Sequence, residues 1–238
     1  MRHFVAAWCV GGSLALSGAG LAAQSGNFIV SQNGHPVGTA SFQFAPRTEG
    51  YDSTSSVKVT MQGLDYALSK TEQLDSASHL QHVVLSALVN DSAVNVVGKP
   101  DGANFLLNIS ANGRSTTTRL DAHPSAVFLP DFDPGALETL LTLAVTRNNR
   151  DLWAIVPKQA GTAEAIQIAT YADEQGTLDG KPITAHHLVA TIAGADTYLF
   201  SGPENQLLQA ELPQPGFALV RKGFVLTPPK KPPVPVDQ

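Results

Sequence analysis

A mainly β fold with one short helix is what this sequence predicts, and three observations predict it. Glycine-containing turn pairs, Asn33-Gly34, Asp101-Gly102, Asn112-Gly113 and Asp179-Gly180, recur between apolar runs, and each suits the positive φ angles of a tight hairpin. The runs between them have a period of two. One stretch alone changes to a helical period.

Taken from the N-terminus, residues 1–22 read as a secretory signal peptide. Arg2 precedes an apolar middle from Phe4 to Leu16, and Gly20 and Ala22 take the small-residue positions of a cleavage site. The apolar stretch is shorter than the roughly 20 residues of a spanning helix. "GAGLAA" from Gly18 has the glycine spacing of a dinucleotide-binding turn, but no strand precedes it. Cys9 is the only cysteine and leaves with the peptide, so the exported chain carries no disulfide and no thiolate. Residues 23–227 are expected to form one β-rich domain, periplasmic or secreted.

In that domain Ala40, Phe42 and Phe44 alternate with Thr39, Ser41 and Gln43, and Val57, Val59 and Met61 alternate with Lys58, Thr60 and Gln62. Further strands are expected at Leu64 to Leu74, His79 to Val89 and Ala93 to Val97, with a hairpin joining Phe105 to Ala111 and Ser115 to Leu120. "LDAHPSA" is a polar turn before another strand. In "DFDPGALETLLTLAVTR", Leu137, Leu140, Leu141 and Ala144 have the i, i+3, i+4, i+7 spacing of one buried stripe, which predicts a helix from Pro134 to Val145. Asp133 can cap it and Pro134 fits its first turn. Asp131-x-Asp133-x-Gly135 also resembles the start of a calcium loop, but Thr142 stands where a bidentate glutamate is needed. Strands resume at Leu152 to Val156, Ala165 to Tyr171, Ile183 to Ile192, Tyr198 to Phe200, Leu207 to Leu212 and Phe217 to Leu226. Residues 228–238, rich in proline and hydrated by Lys230 and Lys231, read as an extended disordered tail.

Composition and motifs exclude several function classes. With 15 Lys and Arg against 20 Asp and Glu, a net charge of −5 and no basic cluster, the chain is not built for nucleic acid. No segment after the leader is long and apolar enough to span a bilayer. No phosphate loop, H-E-x-x-H or G-x-S-x-G elbow follows the leader, so no cofactor and no metal is expected. His186 and His187 in "ITAHHLVATI" are strand neighbours and face opposite ways: His187 joins Ile183, Ala185 and Val189, while His186 joins Leu188, Ala190 and Ile192. A hydrolase would need one of them to meet a serine and a carboxylate in a cleft. Asp121 with His123, Asp173 with Glu174, and Asp131 with Asp133 are the other acid–base combinations.

From about Pro36 to Leu226, "VGTASFQF", "LDGKPITAHHLVATI", "YLFSGPENQLLQAELP" and "FALVRKGF" in that order resemble a loose group of secreted bacterial proteins of unknown function. Their architecture is similar to the periplasmic half-barrels of the LolA and LolB type. That resemblance implies a single strongly curved antiparallel sheet, a half-barrel or β-clam, with the helix over its concave face; a β-sandwich is the alternative. It implies no catalytic residue. One short helix cannot cover every apolar strand face, so curvature, a second sheet or a ligand must cover the rest. Phe42, Phe44, Val57, Val59, Phe105, Leu107, Ile109, Leu137, Leu141, Ile166 and Ile168 are the expected apolar interior. Arg221 and His187 are the candidate polar groups at a groove mouth. The leading expectation is a non-catalytic carrier of a lipid-like molecule in the cell envelope; an interaction module with a packed core comes second and a hydrolase third.

Overall fold

The computed structural model describes residues 24–158, 160–212 and 215–227. The expected signal peptide, with Cys9 and the Gly18 turn, and the proline-rich tail lie outside them. The first eight strands are a meander of long hairpins: β1 (Gln24–Gln32), β2 (His35–Arg47), β3 (Gly50–Met61), β4 (Leu64–Leu74), β5 (Leu80–Val89), β6 (Ser92–Asp101), β7 (Asn104–Ala111) and β8 (Arg114–Asp121). After the short β9 (Ala126–Phe128) comes the helix α1 (Pro134–Leu141), which runs into a π-helical turn, Thr142–Thr146. Strands β10 (Leu152–Val156), β11 (Thr162–Thr170), β12 (Glu174–Leu178), β13 (Lys181–Ile192), β14 (Ala195–Ser201), β15 (Leu207–Leu212), β16 (Phe217–Arg221) and β17 (Phe224–Leu226) complete the described chain.

The pairings run β8-β7-β6-β5-β4-β3-β2-β1 and continue through β16-β15-β14-β13-β11-β10-β9. All are antiparallel except β9 with β10. The chain thus forms one large mixed sheet, and it does not close into a barrel. The sheet curls. Helix α1 packs on β2, β3, β15 and β9 at once, strands drawn from across the ladder, and β9 also packs on β5. All eight helix residues are buried. Instead of presenting one stripe, as expected, α1 is enclosed on every side, because the curled sheet surrounds it. Each fully buried leucine in it, Leu140 and Leu141 among them, contributes about 1.5–3 kcal/mol.

Local chemistry explains most of the element ends. Asn33-Gly34, Asn112-Gly113 and Asp179-Gly180 have positive φ at both residues, while at Asp101-Gly102 only the glycine does. Asp133 caps α1, its Oδ1 accepting from the backbone of Gly135 at 2.9 Å and Ala136 at 3.2 Å. The helix is shorter than the expected Pro134 to Val145: the α-helical bonds end at Leu141 and the π turn takes over. The expected strand from Phe217 to Leu226 is two strands. At Lys222-Gly223, with Gly223 at φ 86°, the chain leaves the β15 and β1 ladder and β17 pairs with β12. Two strands escape the sequence reading: β1, whose Phe28-Ile29-Val30 run hides its alternation, and β12, which is mostly polar.

Two apolar clusters result. The large one lines the inside of the curl, and ten of the eleven expected interior residues are buried in it, with Ile168 half-buried at its margin. A small one, Ala185, Phe200, Leu208 and Phe224, lies where β12 and β17 pack on the other face of β13 to β15.

Candidate functional site

Strand β4 organises the interior. Its inward residues are Tyr66, Leu68, Lys70, Glu72 and Leu74, all buried. Lys70 and Glu72 are therefore charges in phase with the apolar face. Lys70 Nζ lies 2.5 Å from Asp133 Oδ2 and 2.9 Å from Glu72 Oε2, and the Lys70 and Asp133 side chains are 0% exposed. Across the ladder, Ser55 stands opposite Lys70 and Ser53 opposite Glu72, both buried. Any side chain at Gly135 would collide with Ser55 Oγ and Phe42, so the glycine lets the helix start approach β2 and β3. Burial alone would pull the Lys70 ammonium down, but the carboxylates of Asp133 and Glu72 reverse this and raise it. Burial pushes the Glu72 carboxyl up, against the pull of Lys70. This cluster locks the helix start to the sheet.

Further along α1, Glu138 is buried as well. Its Oε2 accepts from the Leu207 backbone at 2.8 Å and its Oε1 from Gln24 Nε2, tying the helix to β15 and β1. Burial pushes its carboxyl up to about 7, against these hydrogen bonds and the Arg221 charge. Arg221 lies over the rings of Phe28, at 5.2 Å, and Phe42, at 6.0 Å. It donates to the carbonyls of Leu207 and Ser25. Burial lowers its pKa, with Glu138 acting in opposition.

Where α1 does not reach, the curl holds a cavity of about 300 Å³. Its walls are the inner faces of β4 to β7, with Tyr66, Leu85, Ala87, Val89, Val94, Val96, Ile109 and Ala111. Its roof is Leu129, Pro130 and Asp131 after β9, with Pro157 and Lys158 after β10. The two roof segments are joined by Leu129 N to Ile155 O, 2.9 Å, and by the rim ion pair of Lys158 with Asp131, 2.9 Å. The roof is also tethered to β8, whose Thr118 Oγ1 donates to Ala160 O. The Tyr66 hydroxyl is the buried polar group of the cavity, 3.4 Å from Asp131 O; burial raises its pKa, with help from the Asp131 and Asp133 charges. Of the expected interior residues only Ile109 lines this cavity.

The paired histidines divide as their alternation requires, and each meets one of two adjacent carboxylates. His186 Nδ1 lies 3.0 Å from Asp173, while His187 Nδ1 lies 3.5 Å from Glu174. His187 is on the face of the small cluster, stacked on Phe200 with Tyr171 and Tyr198 around it. His186 lines a separate cleft of about 330 Å³ with Asp173, Arg150, Ile168, Leu188 and Ser201. Elsewhere, His123 is stacked on Trp153 at 3.7 Å, a packing role. Among the described residues no group of three or more His, Cys, Asp or Glu is placed to hold a metal ion.

No family model and no curated protein matches the chain. Among solved structures, the chain is similar to a DUF1089 family protein from Pseudomonas aeruginosa, at 12% sequence identity, covering 71% of this chain and 87% of that one, with a TM-score of 0.45. Among the described residues no helix is long and apolar enough to cross a membrane.

Proposed function

We propose that this is an exported, non-catalytic binding protein that holds a small lipid-like molecule in the cavity between β4–β7 and the roof. The observation that carries the reading is the cavity itself: eight inward side chains, aliphatic but for Tyr66, form its walls. Ligand sites combine such apolar walls with a few polar groups at fixed points. Here those are the Tyr66 hydroxyl and the Asp131–Lys158 pair at the rim. A volume of about 300 Å³ is at the lower end of the ligand-site range, enough for one short acyl chain or one small apolar molecule. The N-terminal sequence supports export, and the sequence pattern resembles secreted proteins whose architecture is similar to half-barrel carriers, which is in keeping with a cargo of this kind.

The full chain, purified gently from the compartment to which it is exported, is tested by native mass spectrometry and by titration with a fluorescent medium-chain fatty acid. A one-to-one adduct, or saturable probe uptake, is expected. Val96→Phe projects a ring into the cavity and is expected to weaken uptake at least tenfold without loss of stability. Unchanged uptake in that variant, or none in the parent, would remove the carrier reading and leave the packed interaction module.

A further inference from the structure

We infer that the cleft between the π turn and β11, β13 and β14 is a second ligand site, for a small monocarboxylate with a short apolar body. It shares no lining residue with the apolar cavity. Its floor is aliphatic, with Ile168 and Leu188 from the sheet and Val145 from the π turn, left 37% exposed. A buried hydroxyl without a partner and an exposed cation line it. Ser201 is 0% exposed, yet its Oγ has no hydrogen-bond partner among the described residues, and an unmade buried bond costs about 1–3 kcal/mol. Arg150 makes no ion pair and no side-chain hydrogen bond among the described residues. The one carboxylate lining the cleft, Asp173, accepts from His186, and Arg150 is left without a carboxylate partner among the described residues.

A carboxylate answers both deficits. The planar guanidinium offers it two parallel N–H bonds, Ser201 Oγ–H donates a third, and the apolar body covers Val145. His186 bounds the site. Its Nδ1–H donates to Asp173, which fixes the ring and leaves Nε2 for a polar group or water. Ser201 lies directly across the ladder from His186, and with Asp173 the three suggest nucleophilic catalysis. Against attack, Ser201 Oγ is not hydrogen-bonded to the imidazole, so no base activates it.

The test is a calorimetric and NMR titration of the full chain with butanoate, with butan-1-ol as the uncharged control. One saturable site for butanoate and none for the alcohol are expected. Arg150→Gln should weaken binding about tenfold or more and Ser201→Ala several-fold, while Val96→Phe leaves it unchanged. Arg150 is exposed and Ser201→Ala removes a hydroxyl without a partner, so both variants are expected to fold. Absence of saturable binding, equal affinity in the Arg150 and Ser201 variants, or loss in Val96→Phe would each overturn the site. Hydrolysis of p-nitrophenyl butanoate that disappears in Ser201→Ala would overturn it in favour of acyl transfer.

Discussion

Asp131 and Asp133 lie two residues apart, each beside a lysine, in opposite settings. The Asp133 side chain is 0% exposed, 2.5 Å from Lys70, and caps α1. The Asp131 side chain is 47% exposed, 2.9 Å from a Lys158 that is itself 65% exposed. The same kind of pair does different work at the two places. In the interior both charges have left water, so their attraction is strong and the loss of either partner is severe. At the rim, water screens the attraction and the pair can open. One end of the curl is thereby fixed around the helix; the other is the end at which the proposed function places a guest.

The largest expected effect follows from Lys70. Lys70→Met leaves Glu72 and Asp133 buried without their cation, and urea denaturation should show a loss of about 3–5 kcal/mol. Lys70→Met with Glu72→Leu and Asp133→Asn removes the charges together while keeping a helix cap. That triple variant should regain most of the loss. If Lys70→Met costs less than about 1 kcal/mol, the interior cluster behaves like a surface pair and the contrast with Asp131 collapses.

Glu138 sharpens the contrast along the pH axis. Its carboxyl moves from 4.5 to about 7 on folding, so the folded state favours its protonated form. The resulting stability is fully present below pH 4.5 and is lost as pH rises through about 7. The loss amounts to about 3 kcal/mol across that window. Glu138→Gln should flatten the stability profile there, whatever it does to stability at one pH. A slope unchanged by the substitution would assign the window to another group.

These residues also mark how far the sequence was legible. Alternation and turn chemistry revealed most strands, and Asp133-Pro134 gave the helix start, because these are local properties. The enclosure of α1 was not legible, since Glu138 reads as the polar side of an amphipathic helix until strands on both sides of the curl are known. Lys70 and Glu72 left a signal that was available: they fall in phase with Tyr66, Leu68 and Leu74, and Ser53 and Ser55 fall in phase with Val57 and Val59. Charged and hydroxyl residues on the apolar phase of neighbouring strands are the mark of a buried polar cluster, but only the helix supplies Asp133. The opposite facing of His186 and His187 was fixed by the strand period. That Asp173 and Ser201 meet the first of them depends on the pairing of β13 with β14 and on the loop before β12.

The smallest effect on stability belongs to the rim. Asp131→Asn removes the partner of an exposed lysine, so urea denaturation should change by less than about 1 kcal/mol. The effect should appear in kinetics instead. With the Lys158 pair gone, the two roof segments keep the Leu129–Ile155 hydrogen bond but lose the contact that spans the cavity mouth. A fluorescent fatty acid held in the cavity should dissociate several-fold faster from Asp131→Asn, and high salt should speed its release from the parent chain in the same direction. A destabilisation approaching that of Lys70→Met would mean that the rim belongs to the same rigid lock as Asp133. The cavity would then be a closed void in a packed core, not a mouth that opens.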